Sequence, residues 1–281
     1  MNTVIKQSVK KALQTLGLLK FAFRIYEATK VAELRNLCRS IRYRKKGAPD
    51  GLPIPPLKLI VLVAGTSDIS WFLEGGKLAA QSINDTLDKN GLYINDFQEI
   101  LDFGCGCGRV LRWWKYLERA SIYGTDCNHK LIDWCRLNLT FAQFETNDLD
   151  PPLSYTDEKF DLIYALSIFT HLPELLQLSW INELWRILRP GRYLLVTTHG
   201  GHYIGRLTKT EQNLFQAGRL IVRGERTPGT NLCTAYHPVK YVQEKLVKRF
   251  EIIDFIPSGA KGNSYQDVFL LRKPMNSSNV T

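Results

Sequence analysis

The sequence predicts an α/β fold built on a doubly wound, mostly parallel sheet, and three observations carry that expectation. From about residue 58, strand-like apolar runs alternate with helical ones, the pattern of parallel βαβ units. The first clear strand opens into "FGCGCG", a glycine-rich turn placed where a strand hands over to a helix. In the C-terminal third the rhythm breaks, and two strand-like runs follow one another as an antiparallel closing pair.

The elements follow in order. "EILDFGC" (99–105) reads as a strand and "RVLRWWKYLER" (109–119) as a helix. "SIYGTDC" (121–127) and "KLIDWCRLNL" (130–139) repeat the pair. "FAQFETN" (141–147) and "FDLIYALS" (160–167) are the third and fourth strands. "ELLQLSWINELWRIL" (174–188) is strongly helical in period and is stopped by Pro190-Gly191, after which "RYLLVTTH" (192–199) is a fifth strand. "RLIVRGE" and "NLCTAYH" flank "RTPGT" and predict a hairpin inside an inserted segment of about 200–236. A helix from near Pro238 and the strands "EIIDFIPSG" and "SYQDVFLLRK" close the chain, bringing the strand total to seven.

Charge separates the N-terminal segment from the rest. Of 37 Lys and Arg, 12 lie in residues 1–46, beside only Glu27 and Glu33, so the net charge of +10 is concentrated there. Val4, Ile5, Val9, Leu13, Leu16, Leu19, Phe23 and Tyr26 recur at helical spacing, with Lys6, Lys10, Lys11, Lys20 and Arg24 on the remaining surface. Three readings stand: a helix docked on the main domain or a partner, a basic amphipathic helix on an anionic membrane surface, or a nucleic-acid contact. "GAPDGLPIPP" (47–56) sustains neither helix nor central strand, which divides the chain into a basic segment (1–46), a linker (47–57) and a main domain (58–281).

The longest apolar run, "LIVLVAG" (59–65), falls far short of the roughly 20 residues of a spanning helix. The N-terminus lacks the pattern of a secretory signal, and six scattered cysteines suit a reducing compartment, so a cytoplasmic protein is expected, with peripheral membrane contact through residues 1–46 open. Cys105, Cys107, Cys127 and Cys135 have spacings unlike zinc or iron–sulfur sites, and no metal is expected.

Glycines at 104, 106 and 108 let the backbone turn tightly and approach a ligand closely. Asp126, ending the second strand, can accept hydrogen bonds from two ribose hydroxyls, or it or Asn128 can cap a helix. The third strand exits at Asn147-Asp148-Leu149, where an amide and a carboxylate can meet an exocyclic amine and Leu149 and Leu166 can face a base.

Taken together, "ILDFGCGCGRVLRWW", "YGTDCN", "FETNDL", "FDLIYALSIFTHL" and "ELWRILRPGRYLLVTTHG" resemble the successive motifs of the class I S-adenosylmethionine-dependent methyltransferases, over about residues 97–199. The resemblance implies a Rossmann-like seven-stranded sheet with an antiparallel C-terminal hairpin, and S-adenosyl-L-methionine as cofactor. Asp102, Gly104, Cys105, Gly106 and Gly108 would surround its methionyl and ribose parts. Asp126, with Cys127 beside it, would bind the ribose, and Asp148 and Leu149 would meet the adenine. Leu166 and Ser167 would border the sulfonium and the substrate. The family's Pro-Gly-Gly before the fifth strand is Pro190-Gly191-Arg192 here, a change confined to a turn. "AGTSDISWFLEGG" (64–76) resembles the family's variable cap, whose Trp71 and Phe72 would close over the cofactor or pack in a core.

Methyl transfer is mainly a matter of alignment and water exclusion, with a general base useful for an oxygen nucleophile. His171 in "FTHLPE" is the candidate base, against a structural hydrogen-bonding role, while His199 and His202 read as substrate contacts or turn features. "DLDPPLSY" (148–155) resembles the motif of enzymes that methylate base amino groups, but it precedes the fourth strand instead of following it. The expected acceptor is therefore a small molecule, a glycan or a lipid-linked compound, with 200–236 as a substrate lid. The alternatives are a nucleic-acid methyltransferase anchored by its basic N-terminus and a non-catalytic binding protein.

Overall fold

The computed structural model describes residues 19–31, 41, 43, 45–262 and 265–275. The chain divides into two compact units, Met1–Glu74 and Gly75–Thr281. In the first, α1 (Leu19–Val31) and α2 (Leu57–Ala64) pack together, and Ser67 Oγ donates to the Lys30 carbonyl at 2.7 Å. α2 reads LKLIVLVA and buries Leu57, Leu59, Ile60 and Val61; it ends at Gly65, whose φ of +66° lets its N–H turn back to the Val61 carbonyl. Residues 47–56 form neither helix nor strand. Val4, Ile5, Val9, Leu13 and Leu16 of the expected amphipathic stripe lie outside the described residues, whereas Phe21, Ile25 and Tyr26 on α1 are exposed.

The second unit holds a seven-stranded sheet ordered β3-β2-β1-β4-β5-β9-β8. Its strands are β1 (Glu99–Phe103), β2 (Ser121–Asp126), β3 (Gln143–Thr146), β4 (Phe160–Ala165), β5 (Leu188–Thr198), β8 (Glu251–Ile256) and β9 (Asp267–Arg272). β1 to β5 run parallel, while β9 is antiparallel to both β5 and β8. This is the sheet the alternation predicts. Both faces are covered, so the central strands are apolar throughout instead of alternating. On one face Leu101, Phe103, Ile163, Leu194 and Val196 meet Trp180, Ile181 and Leu184 of α5 (Glu174–Ile187). On the other, Ile100, Ile122, Leu162, Tyr164 and Leu195 meet Ala79, Ile83 and Leu87 of α3 (Ile69–Lys89).

One expected helix is not there. Residues 109–119 form only a 3₁₀ turn, Leu111–Trp114, so the glycine loop does not lead into a helix N-terminus. Val110, Trp113 and Trp114 are stiff or bulky and crowd a helical turn. Trp114 is instead drawn into the core, where its Nε1 donates to the Tyr164 hydroxyl at 2.9 Å. α4 (His129–Asn138) forms as expected, with Asn128 as its cap accepting from the Lys130 N–H.

After β5 come a 3₁₀ turn (Gly201–Arg206), α6 (Lys209–Gln216) and the antiparallel hairpin of β6 (Ile221–Arg223) and β7 (Thr234–Tyr236). This insertion has its own small core of Tyr203, Leu207, Phe215, Ile221 and Tyr236. A Thr208–Glu211 capping box starts α6, and Glu211 also pairs with Arg223. The helix expected from Pro238 is short: α7 (Val239–Tyr241) continues only as a π turn to Leu246.

The backbone of α3 comes close to Arg109, just after the glycine loop. A Cβ on Gly76 would lie 2.0 Å from the Arg109 carbonyl oxygen. Helix propensity alone favours Gly76→Ala by about 1 kcal/mol. The obstacle is backbone and cannot rotate away, so overpacking of roughly 1–3 kcal/mol decides the sign. Gly76→Ala is expected to lower the melting temperature by a few degrees in a thermal scan, and a rise would contradict this contact.

Candidate functional site

The strand order reverses between β1 and β4, and a crevice beyond their carboxyl ends is where such sheets bind ligands. A cavity lies there, with about 530 Å³ of non-atom space partly open to solvent. Gly104 follows β1, Asp126 and Cys127 end β2, Asn147, Asp148 and Leu149 follow β3, and Ile168 and His171 follow β4; all line it. Its remaining walls are Phe103, Leu172, Trp180 and Gly229.

The glycine loop has the conformation its composition demands. Gly104, Gly106 and Gly108 have φ of +81°, +58° and +72°, which residues with a Cβ rarely adopt. Gly104 and Cys105 both donate their N–H to the Thr125 carbonyl, at 2.8 and 2.9 Å. Asp126 clamps the loop from below: Oδ2 accepts from Gly106 N–H at 3.0 Å and Oδ1 from Asn128 N–H at 2.8 Å. Burial raises the Asp126 pKa, and these two amides work against the rise. Each carboxylate oxygen retains a lone pair for a further donor.

Beside it, Asn147 donates from Nδ2 to the Asp148 carbonyl at 2.6 Å, while its buried Oδ1 has no partner among the described residues. An orphaned buried acceptor on a cavity wall can take a donor from water or from a bound ligand. Trp180 Nε1 donates to the Leu149 carbonyl at 2.9 Å and its ring lies 4.7 Å from that of Phe103, which fixes the apolar wall.

Of the residues singled out from sequence, Gly104, Asp126, Cys127, Asn147, Asp148, Leu149 and His171 meet at this cavity. Asp102, Cys105, Gly106, Gly108, Leu166 and Ser167 stand behind or beside it. Asp102 is buried under the loop, hydrogen-bonded to Tyr164 and near Arg109, and burial pushes its pKa up to about 7. The Cys105 and Cys107 thiols are buried and pushed well above their ordinary range, which keeps them neutral. Leu166 lines a smaller cavity with Ala79, Ile83, Leu195 and Thr197. Sequence reading missed Phe103, Ile168, Leu172, Trp180 and Gly229. Trp180 looks like any core residue of a periodic helix, and Gly229 reaches the cavity only through the folding of the insertion.

Three histidines, through ring and backbone atoms, tie the insertion to its surroundings. His171 Nδ1 lies 2.9 Å from the Cys233 carbonyl, and Gly229 N–H donates to the His171 carbonyl at 2.9 Å. His199 Nδ1 lies 3.1 Å from the Ala235 carbonyl, and His237 N–H donates to the His199 carbonyl at 2.8 Å. Gln177 Nε2 donates to the Leu172 carbonyl, so its Oε1 faces His237 Nε2, at 3.1 Å, as an acceptor. Burial lowers the pKa of all three rings, to about 4 for His199 and about 3 for His237. His202 stacks instead on Tyr265, with ring centroids 4.3 Å apart.

Comparison with known proteins bears on what such a site does. Residues 100–191, the stretch containing the glycine loop, Asp126 and His171, match a family model described as a methyltransferase domain. That stretch runs from β1 into the start of β5 and spans about a third of the chain. Methyltransferase GfsG of Streptomyces halstedii is 27% identical over 135 residues, covering 46% of this chain and 46% of that protein. The 24-methylenesterol C-methyltransferase 2 of Arabidopsis thaliana is 25% identical over 185 residues, 62% of this chain and 47% of its own. The chain thus aligns with about half the length of these curated relatives. Among solved structures, the glycopeptide N-methyltransferase MtfA superposes with a TM-score of 0.51 at 12% identity, over 70% of this chain and 96% of that one. A Burkholderia thailandensis 1,6-didemethyltoxoflavin-N1-methyltransferase, bound to 1,6-didemethyltoxoflavin and S-adenosylhomocysteine, gives 0.50 at 14% identity, over 76% and 84%. These two share the fold of the sheet-bearing unit.

Proposed function

We propose that the sheet-bearing unit is a class I methyltransferase that binds S-adenosylmethionine in the Gly104–Leu149 cavity and methylates a small-molecule acceptor. The observation that carries the reading is the pairing of Asp126, whose carboxylate keeps lone pairs for two hydroxyls, with the orphaned Asn147 Oδ1, which suits an amine. Gly104, Asp126, Asp148 and Leu149 would hold the cofactor, and Asp102, Cys105, Gly106 and Gly108 would shape the loop that receives it. Once bound, the cofactor supplies an electrophilic methyl group on a sulfonium. The chain's own contribution is to orient the reactants and exclude water with Phe103, Ile168 and Leu172. For His171 to act as base, one ring nitrogen would have to leave its backbone partners at Cys233 and Thr230 to take the acceptor's proton; burial favours the neutral ring.

Relatives named for sterol and other small-molecule methylation support an acceptor of that class over a glycan, and the charge balance beyond residue 46 disfavours a nucleic acid. In this reading residues 1–46 are a basic accessory segment, 47–57 a linker and 58–281 the catalytic domain, with 200–236 a lid whose Gly229 already borders the cavity. Exposed Phe21, Ile25 and Tyr26 within so basic a segment favour contact with an anionic membrane surface. Among the described residues no helix is long and apolar enough to cross a membrane.

The test is calorimetry with S-adenosylhomocysteine, paired with limited trypsin digestion. Saturable binding is expected, together with protection of Arg226 in the loop bordering the cavity. A chain that binds neither S-adenosylhomocysteine nor S-adenosylmethionine does not have this function.

A further inference from the structure

Ser167 is a serine with a φ of +65°, in the left-handed region that side chains other than those of glycine, asparagine and aspartate seldom occupy. Such a residue persists only where its surroundings over-determine it. Here a closed set of hydrogen bonds does so. Ser167 N–H donates to Thr197 Oγ1 at 2.7 Å, the Thr197 hydroxyl donates to Gln266 Oε1 at 2.7 Å, and Gln266 Nε2 donates to Ser167 Oγ at 2.7 Å. Thr170 closes a second loop, its hydroxyl donating to the Ser167 carbonyl at 2.7 Å, so the Ser167 hydroxyl donates to Thr170 Oγ1 at 3.2 Å. Each hydroxyl proton has one placement, and Thr170, Thr197 and Gln266 are buried. The circuit joins the carboxyl ends of β4 and β5 to the start of β9.

The turn it enforces sorts the neighbours. Leu166 points into the smaller cavity on the α3 face, while Ile168 and His171 line the larger one. Ile168 fits against the glycine loop so closely that a Cβ on Gly104 would fall 2.0 Å from its Cδ1. Ser167 itself does not line the larger cavity.

We propose that Ser167 is a positioning residue: held by Thr170, Thr197 and Gln266, it sets the Ile168–His171 wall of the cofactor cavity without touching the ligand. This rests on the S-adenosylmethionine reading above. It departs from the sequence expectation that Ser167 borders the sulfonium directly.

The experiment compares Ser167→Gly and Ser167→Ala with wild type by calorimetry with S-adenosylhomocysteine and by thermal unfolding. Glycine is at ease at positive φ, so Ser167→Gly is expected to keep the melting temperature within a few degrees, whereas Ser167→Ala lowers it. Both lose the hydroxyl and with it the bonds to Gln266 and Thr170 that close the circuit, so both should bind S-adenosylhomocysteine about tenfold more weakly. That factor should be the same from pH 6.5 to 9, because none of the four side chains ionises there. Affinity that simply follows melting temperature, or wild-type affinity in Ser167→Gly, overturns the proposal. A wild-type protein that fails to bind S-adenosylhomocysteine overturns the cofactor reading itself, and the two failures are thereby distinct.

Discussion

An Asp126→Ala protein is expected to lose affinity for S-adenosylhomocysteine by roughly 100-fold or more in calorimetry. Hydrogen bonds to a carboxylate are worth about 1.5–3 kcal/mol each, and two ribose hydroxyls lost together give about 3–6 kcal/mol, or two to four decades. The same carboxylate also ties the Gly106 and Asn128 amides, so alanine frees the loop as well. Asp126→Asn separates the two effects. Its carbonyl keeps one of the amide bonds and the fold, and its loss should be intermediate. If Asp126→Ala binds like wild type, the ribose is not held here.

The second large effect is a pH dependence that the wild-type protein partly conceals. His237 has a folded pKa of about 3, lowered by burial and then by neighbouring His199, against an ordinary 6.5. Below pH 6.5 the unfolded chain therefore takes up a proton that the folded chain refuses, and stability falls as acid is added. At pH 5 the loss is about 2 kcal/mol for this ring, and His199 adds a comparable amount. Asp102 acts in the opposite direction. Its folded pKa of about 7 lies above the ordinary 3.8, so between pH 7 and 5 the folded state gains the proton and about 2 kcal/mol. Wild-type stability should thus slope gently, while a His237→Gln protein, able to keep the bond to Gln177, reveals the hidden component. Its deficit relative to wild type is expected to shrink by about 2 kcal/mol from pH 7 to pH 5 in urea titrations. A deficit that stays constant across that range would show that His237 does not titrate on unfolding.

How much of this was legible beforehand varied with the physics involved. The parallel core was readable because strands buried on both faces are continuous apolar runs separated by helical periods, as in "FDLIYALS" and "ELLQLSWINELWRIL". The tight glycine loop was readable because only glycine relaxes into three positive φ angles so close together. The missing helix after Gly108 was not, since Trp114 follows a tertiary contact to Tyr164 that no local pattern records. Nor were Gln266 and Gly229, which reach the site from distant strands and loops. Ser167 was noticed for its position after the fourth strand, but its strained backbone and its three partners appear only in three dimensions.

The place of β9 has a consequence for the order in which the sheet can be finished. It is the last of the described strands in sequence yet sits between β5 and β8, pairing with both. During synthesis the five parallel strands can assemble first, but the outer edge of β5 then waits, from Tyr193 to Thr198, with its pairing groups unmet. It stays open until the whole insertion and β8 have left the ribosome. An exposed strand edge is the surface through which unfinished chains find one another. The insertion that borders the Gly104–Leu149 cavity is therefore also a delay written into the chain's own biogenesis.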